Sequence, residues 1–131
     1  MIRSIETKDK HDYYAMSKLF YQSSALIKPS KPRYLSKTID DMVSDNPYIE
    51  GYVIEFDNDV AGYMLLTFSY SSEWGGEFVN IDELYVKDDY QGMGLGSKLL
   101  SFVEAKYKDQ KAITLLVNDE NKNAKKLYNK I

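Results

Sequence analysis

The stretch Gln91-Gly92-Met93-Gly94-Leu95-Gly96 stands between a strand-like run, residues 78–86, and a helix-like run that begins near Ser97. Strand, glycine turn, helix is an order that few folds accommodate. The chain must turn within a few residues, and glycine takes φ > 0 and lets another group approach without meeting a Cβ. The first N–H groups of the following helix then have no partner within it and can cradle an anion, to which the helix dipole adds about 0.3–1 kcal/mol. A phosphate-bearing ligand is what this order supports.

Three kinds of glycine turn compete for the assignment. A nucleotide P-loop ends in Gly-Lys-Ser/Thr, whereas this chain reads Gly96-Ser97-Lys98, with lysine and hydroxyl in the reverse order. A dinucleotide fingerprint needs glycines at relative positions one, three and six within repeated βαβ units. Gly92 and Gly94 fit, but Ser97 holds the sixth position and no βαβ unit precedes the turn. The third pattern, Gln/Arg-x-x-Gly-x-Gly/Ala, is met by Gln91, Gly94 and Gly96, with Leu84-Tyr85-Val86 upstream. Downstream, Ala112-Ile113-Thr114-Leu115-Leu116-Val117 is a short apolar run of strand character. Asn118-Asp119-Glu120-Asn121 then reads as the cap of a helix carrying Ala124, Leu127 and Tyr128.

Together, the turn and the spacing Asn121-x-x-Ala124-x-x-Leu127-Tyr128 resemble the acetyl-CoA half of GNAT-type N-acetyltransferases. The resemblance is specific from about Ile81 to Ile131. It implies acetyl-CoA as cosubstrate and no metal. In this pattern Gln91, Gly92, Gly94, Gly96 and Ser97 hold the pyrophosphate, and Leu84, Tyr85 and Val86 pair with the pantetheine arm like an added strand. Asn118 and Asn121 cap a helix and bond the CoA arm, and Tyr128 is the candidate general acid.

Composition sets the outer limits. With 131 residues, 44% of them hydrophobic, the chain fits one domain with one core. No stretch approaches the ~20 apolar residues of a membrane span, and Met1-Ile2-Arg3-Ser4 lacks the apolar run of a secretory signal. Cysteine is absent, which excludes thiol catalysis, thiolate metal sites and disulfides. A soluble, cytoplasmic protein is expected. The net charge of −3 argues against nucleic acid or an anionic membrane as partner.

Along the chain, residues 3–5 read as a first strand, and Thr7 caps a helix that begins near Lys10 and carries Tyr13, Met16, Leu19 and Phe20 at helical spacing. Pro29 and Pro32 break the chain over residues 27–33, and residues 34–43 form a second helix with Leu35, Ile39, Met42 and Val43 on one face. Residues 52–56 and 61–68 are strands joined by Asp57-Asn58-Asp59, and Trp74-Gly75-Gly76 turns into the strand carrying Glu83. Residues 97–108 are helical, continuing a stripe of Leu95, Leu99, Val103 and Tyr107. The expected fold is α/β, a GNAT-type mixed central sheet flanked by helices in the order βααβββαβα, a single domain over residues 1–131. The family's usual C-terminal strands are lacking after Ile131, and the uncovered sheet edge this leaves is a route to a homodimer by strand exchange.

Acetyl transfer to an amine needs a free lone pair, a polarised thioester carbonyl and a proton for the departing thiolate. Deprotonating an alkylammonium of pKa near 10.4 at pH 7 costs about 4–5 kcal/mol, and a positioned carboxylate recovers roughly 10²–10⁴ in rate. The resemblance aligns Asp82 with a catalytic acid of diamine-acetylating relatives. Glu83 is the rival and Glu77 a distant third. Strict alternation would send Asp82 and Glu83 to opposite faces, so that one at most reaches a given cleft. Trp74 and Tyr70 are candidate lining residues, Asp40, Asp41 and Asp45 a solvated helix face bordering the acceptor, and His11 a surface residue. The expected function is acetyl-CoA-dependent N-acetylation of a primary amine on a small molecule, polyamine- or aminoglycoside-like, or on a peptide. The alternative is a non-catalytic acyl-CoA-binding or strand-exchanging module.

Overall fold

In the computed structural model, residues 1–22, 32–115 and 125–129 are described, the last five and residues 32–33 by their backbone. Six strands form one mixed sheet whose spatial order follows the chain: β1 (Ile2–Ser4), β2 (Ile49–Phe56), β3 (Asp59–Ser71), β4 (Gly76–Val86), β5 (Ala112–Leu115) and β6 (Lys125–Asn129). Every neighbouring pair is antiparallel except β4 with β5, which run parallel. Helices α1 (Lys10–Gln22) and α2 (Pro32–Val43) lie between β1 and β2 in sequence, and α3 (Leu95–Lys106) makes the crossover from β4 to β5.

The mixed sheet flanked by helices is the fold that the sequence led us to expect. Its final element is a correction. Residues 125–129, expected within a helix through Ala124, Leu127 and Tyr128, form a strand with Tyr128 opposite Ile113. Five residues are too few to separate a period of 3.6 from one of 2, and pairing with an open edge overrides so weak a local preference. The edge of β5 is thereby covered, and β6 becomes the outer strand of the sheet.

Both faces of the sheet are buried, so β3 runs apolar almost without interruption from Val60 to Leu66. Alternation divides that run. Met64 and Leu66 join Val79, Ile81 and Ile113 under Leu95, Leu99 and Val103 of α3. Tyr63 and Leu65 turn the other way, toward Tyr13 and Met16 of α1 and Ile39 and Met42 of α2. Proline at the first position of α2 has no N–H to leave unpaired and suits the helix start.

Two ion pairs fix α1 over this second face. Arg3 on β1 donates to both carboxylate oxygens of Asp9, at 2.8 and 2.9 Å, just before α1 begins. Just past the end of β4, Lys87 donates to Asp12 Oδ1 at 3.1 Å. Among the described residues, no helix is long and apolar enough to cross a membrane.

Candidate active site

The site is organised by a fault in strand pairing. Leu65 and Leu66 of β3 lie opposite Glu83 and Ile81 of β4, so Asp82 is an extra residue with no partner, a β-bulge. Its first consequence is to reset the alternation. Val79 and Ile81 face α3, yet Glu83, two residues beyond Ile81, faces α1 and α2. Asp82 shares that face, since it accepts from Thr67 Oγ1 at 3.1 Å and Thr67 follows Tyr63 and Leu65 in step along β3. The expectation that alternation separates the two acids is thus overturned: the bulge places both carboxylates on one face.

The bulge also falls beside the last described rung of the parallel ladder between β4 and β5, Ile81 with Leu115, and β4 continues beyond it through residues 82–86. The amide of Lys87 bonds Ala61 O at 2.8 Å, which makes Val86–Gly62 a non-hydrogen-bonded pair and, two residues back, Leu84–Met64 another. The N–H and C=O groups of Leu84 and Val86 therefore point away from β3, toward the open side. Tyr85 spends its backbone groups on β3, and its ring lines a groove of about 210 Å³ with Met16, Leu19 and Lys87.

The carboxylates differ sharply. Glu83 is 8% exposed and accepts two phenolic hydrogen bonds, from Tyr63 on Oε1 at 2.5 Å and from Tyr21 on Oε2 at 2.7 Å. Burial pushes its carboxyl up, the two phenols pull against this, and the Asp82 charge adds to the rise. Asp82 is only partly buried, and desolvation raises its carboxyl too, against the Thr67 hydrogen bond. Its Oδ2 has no hydrogen-bond partner among the described residues. Tyr63 is itself fully buried and its phenol is driven well up, by burial and then by the Glu83 charge, so it stays protonated and donates.

Beyond β4, a short 3-10 turn (Asp88–Tyr90) leads into the glycine stretch. Gly92 and Gly94 take φ of +82° and +78°, the left-handed region, and a Cβ on either would meet nothing within 4 Å. That emptiness is what an anion cradle requires. Gly94 caps α3 without a side-chain hydrogen bond, and its carbonyl accepts the first helical bond from Lys98 at 3.1 Å. The amides of Leu95, Gly96 and Ser97 are left over, at the positive end of the helix dipole. Gln91 donates from Nε2 to Val86 O at 2.9 Å and to Asp88 Oδ1 at 3.2 Å, folding the turn back on the open edge. Leu84, Val86 and the glycine turn are thus brought together on the open side of β4.

Other sequence candidates lie elsewhere. Glu77 is six residues before Glu83 on β4, about 20 Å away at ~3.3 Å per residue. Tyr70, opposite Glu77, lines a separate surface groove with Tyr48 and Phe68, and Trp74 packs edge-on against Phe78 at 5.2 Å. His11, Asp40 and Asp45 are exposed, and Asp41 pairs with Lys37 at 3.1 Å. Among the described residues no three His, Cys, Asp or Glu side chains converge as a metal site. Asn118 and Asn121 lie outside the described residues, as does the side chain of Tyr128.

Tyr21 and Tyr63 are participants that the sequence reading missed. One signal was present for Tyr63: it interrupts an apolar run buried on both faces, where a phenol needs a partner. Nothing in the spacing connects Tyr21 to Glu83, 62 residues on.

Comparison with known proteins identifies the family and the fold. The sequence model of the family described as Acetyltransferase (GNAT) family matches residues 11–131. A thialysine N-epsilon-acetyltransferase from Bos taurus is 41% identical over 71 residues, covering 53% of this chain and 41% of that protein, so the chain spans under half of that relative's length. A possible acetyltransferase from Clostridium difficile 630 superposes with a TM-score of 0.76 at 19% identity, over 92% of this chain and 81% of the other. A predicted acetyltransferase with acetyl-CoA from Clostridium acetobutylicum gives a TM-score of 0.70 at 17% identity, over 91% and 81%.

Proposed function

Since the chain belongs to the GNAT acetyltransferase family, we propose that it transfers the acetyl group of acetyl-CoA to a primary amine, by direct attack within a ternary complex. The observation that carries this reading is the bulge at Asp82, which sets two carboxylates on one face of β4 just before Leu84, whose side chain lies 3.9 Å from where a Cβ on Gly96 would stand. Acetyl-CoA supplies the activated thioester. The residues fit it in three places. The spare amides of Leu95, Gly96 and Ser97 face open space, as a pyrophosphate requires. The outward N–H and C=O groups of Leu84 and Val86 suit an amide-bearing arm. An outward amide of this edge is also the donor that polarises the thioester carbonyl, a contribution worth about 3–4 kcal/mol in other acyl transfers.

The carboxylates receive the proton that an alkylammonium must lose before its nitrogen can attack. The raised carboxyls favour this work, because a base closer to working pH is a stronger one. We assign the general acid to Tyr128, from its place in the family-like segment; its phenol would protonate the leaving thiolate. The bovine relative is named for N-epsilon-acetylation of thialysine, and its similarity supports a small-molecule primary amine, a class that includes polyamine-like acceptors, over a peptide. Aminoglycosides remain in the same test panel.

Titration calorimetry with CoA, together with thiol release from acetyl-CoA against diamines, thialysine, aminoglycosides and peptide N-termini, tests the reading. Micromolar binding and amine-dependent thiol release are expected. Binding without release across the panel refutes the enzyme, and no binding refutes the cradle. Tyr128→Phe is expected to lower turnover with CoA affinity little changed.

A further inference from the structure

We infer that Tyr21 and Tyr63 are positioning residues that hold both oxygens of Glu83, leaving Asp82 as the catalytic residue that takes the proton from the amine. The inference rests on the proposed acetyl transfer and divides the labour between two acids which that reading treats together.

The division follows from access. Glu83 is 8% exposed, and each of its oxygens already accepts a phenol. The groups around it close the remaining approaches. From α1 come Tyr13, Ser17 and Tyr21, from β3 Tyr63, and from β4 the neighbouring Asp82, while α2 presents the apolar Ile39 and Met42 to the same face. To meet an ammonium, Glu83 would have to break two short hydrogen bonds and come out from under α1. Asp82 needs no such movement. It is partly exposed and, among the described residues, bound once through Oδ1 with no partner on Oδ2.

The step balances as follows. An N–H bond of the ammonium breaks, its proton passes to Asp82 Oδ2 directly or through one water, and the electron pair stays on nitrogen. That pair forms the C–N bond at the thioester carbonyl, and the tetrahedral adduct collapses with loss of the C–S bond. As the adduct collapses the nitrogen loses its second proton, which ends on the thiolate by way of the general acid, and Asp82 returns the first proton to solvent, giving the N-acetyl amide and CoA thiol.

Tyr21 adds a specific consequence. It lies in the last turn of α1, so it ties the end of that helix to the catalytic strand through one hydrogen bond. Tyr63 makes the matching tie from within the sheet.

The experiment pairs kinetics with a titration that requires no turnover. Asp82→Asn should lower kcat by at least ~100-fold and abolish the acidic limb of kcat/KM. Glu83→Gln should keep that limb. Tyr21→Phe and Tyr63→Phe should keep the limb and the KM for acetyl-CoA and lower kcat several-fold. In protein labelled with 13C at glutamate carboxyls and free of ligand, both phenylalanine variants should move the Glu83 titration to higher pH, because each removes a donor that stabilises its anion. An acidic limb lost in Glu83→Gln and kept in Asp82→Asn would reverse the assignment. An unmoved Glu83 titration would overturn the clamp. Absence of thiol release in the wild type would refute the acetyl transfer, and the catalytic half of the inference with it, while the titration would still decide the clamp.

Discussion

Deleting Asp82 is the sharpest perturbation that this structure suggests. The residue is the one extra member of β4 between Ile81 and Glu83, so its removal restores unbroken alternation without turning any other side chain over. Val79 and Ile81 stay under α3, and Glu83 stays with Tyr63 and Tyr21. Stability should therefore change by less than about 1 kcal/mol, unusually little for a deletion inside a central strand. Deleting Asn80 is the control. It puts fully buried Val79 out of step with α3, which forfeits about 1.5–3 kcal/mol at that side chain alone. Function should separate in the opposite sense. Asp82→Ala keeps the bulge and loses the carboxylate, so kcat falls by roughly 10²–10⁴ while CoA still binds. The deletion loses the carboxylate and also the bulge that precedes Leu84 and Val86, the residues assigned to the pantetheine arm, so CoA affinity should fall as well. Urea midpoints at constant m give the stabilities and calorimetry gives the affinities. A deletion variant that unfolds, or that binds CoA as tightly as Asp82→Ala does, refutes the role given to the bulge.

Other expectations concern the cradle and the ionised groups. Gly94→Ala should weaken CoA binding and cost about 1–2 kcal/mol of stability, because its φ of +78° is strained for an L-residue even in empty space. Gly96→Ala should instead preserve stability or raise it by about 0.5–1 kcal/mol, as its φ is helical and an added Cβ meets only Leu84 Cδ2 at 3.9 Å. The same methyl faces the open edge and should still lower CoA affinity, so thermal melts and calorimetry should move in opposite directions. Asp82 binds its proton more tightly when folded than when unfolded, so it contributes more stability as pH falls from neutral toward its ordinary value of 3.8. Asp82→Asn should therefore match or exceed the wild type at pH 7 and lose that advantage near pH 4, in urea melts across that range. Asp9 runs the other way. Burial alone would raise its carboxyl, but the Arg3 and backbone hydrogen bonds outweigh this and hold it low, so its contribution is present at neutral pH and is lost as pH falls through and below 3.8. Arg3→Ala, which strands that buried carboxylate, should cost about 3–5 kcal/mol at pH 7 and less near pH 3.

Half of the site was legible because it depends on local chain geometry. A left-handed backbone at Gly92 and Gly94, bare amides at the start of α3 and an apolar stripe behind them are all set by residues within one turn of each other. The division of β3 was legible for a similar reason, since a period of two assigns Tyr63 and Met64 to opposite cores once both faces are known to be buried. The last strand was misread because residues 125–129 take their conformation from β5 rather than from their own spacing. Local reading has no access to an edge that is formed elsewhere in the chain.

The bulge failed to show for a deeper reason. In the sequence Val79-Asn80-Ile81-Asp82-Glu83-Leu84-Tyr85-Val86, both a regular strand and a bulged one leave apolar residues on each face. Without the bulge, Ile81 and Glu83 would share a face, and a carboxylate would sit within the α3 core. With it, Glu83 crosses to the phenols of Tyr21 and Tyr63, which are remote in sequence and can be matched to it only after the chain has folded. The alternative therefore turns on the cost of burying one charge without partners, several kcal/mol, against the small local cost of an unpaired residue. That balance selects the bulged register. The same selection places Asp82 beside Glu83, so the need to satisfy one buried carboxylate creates the partly exposed neighbour to which the proton transfer is assigned in our proposal.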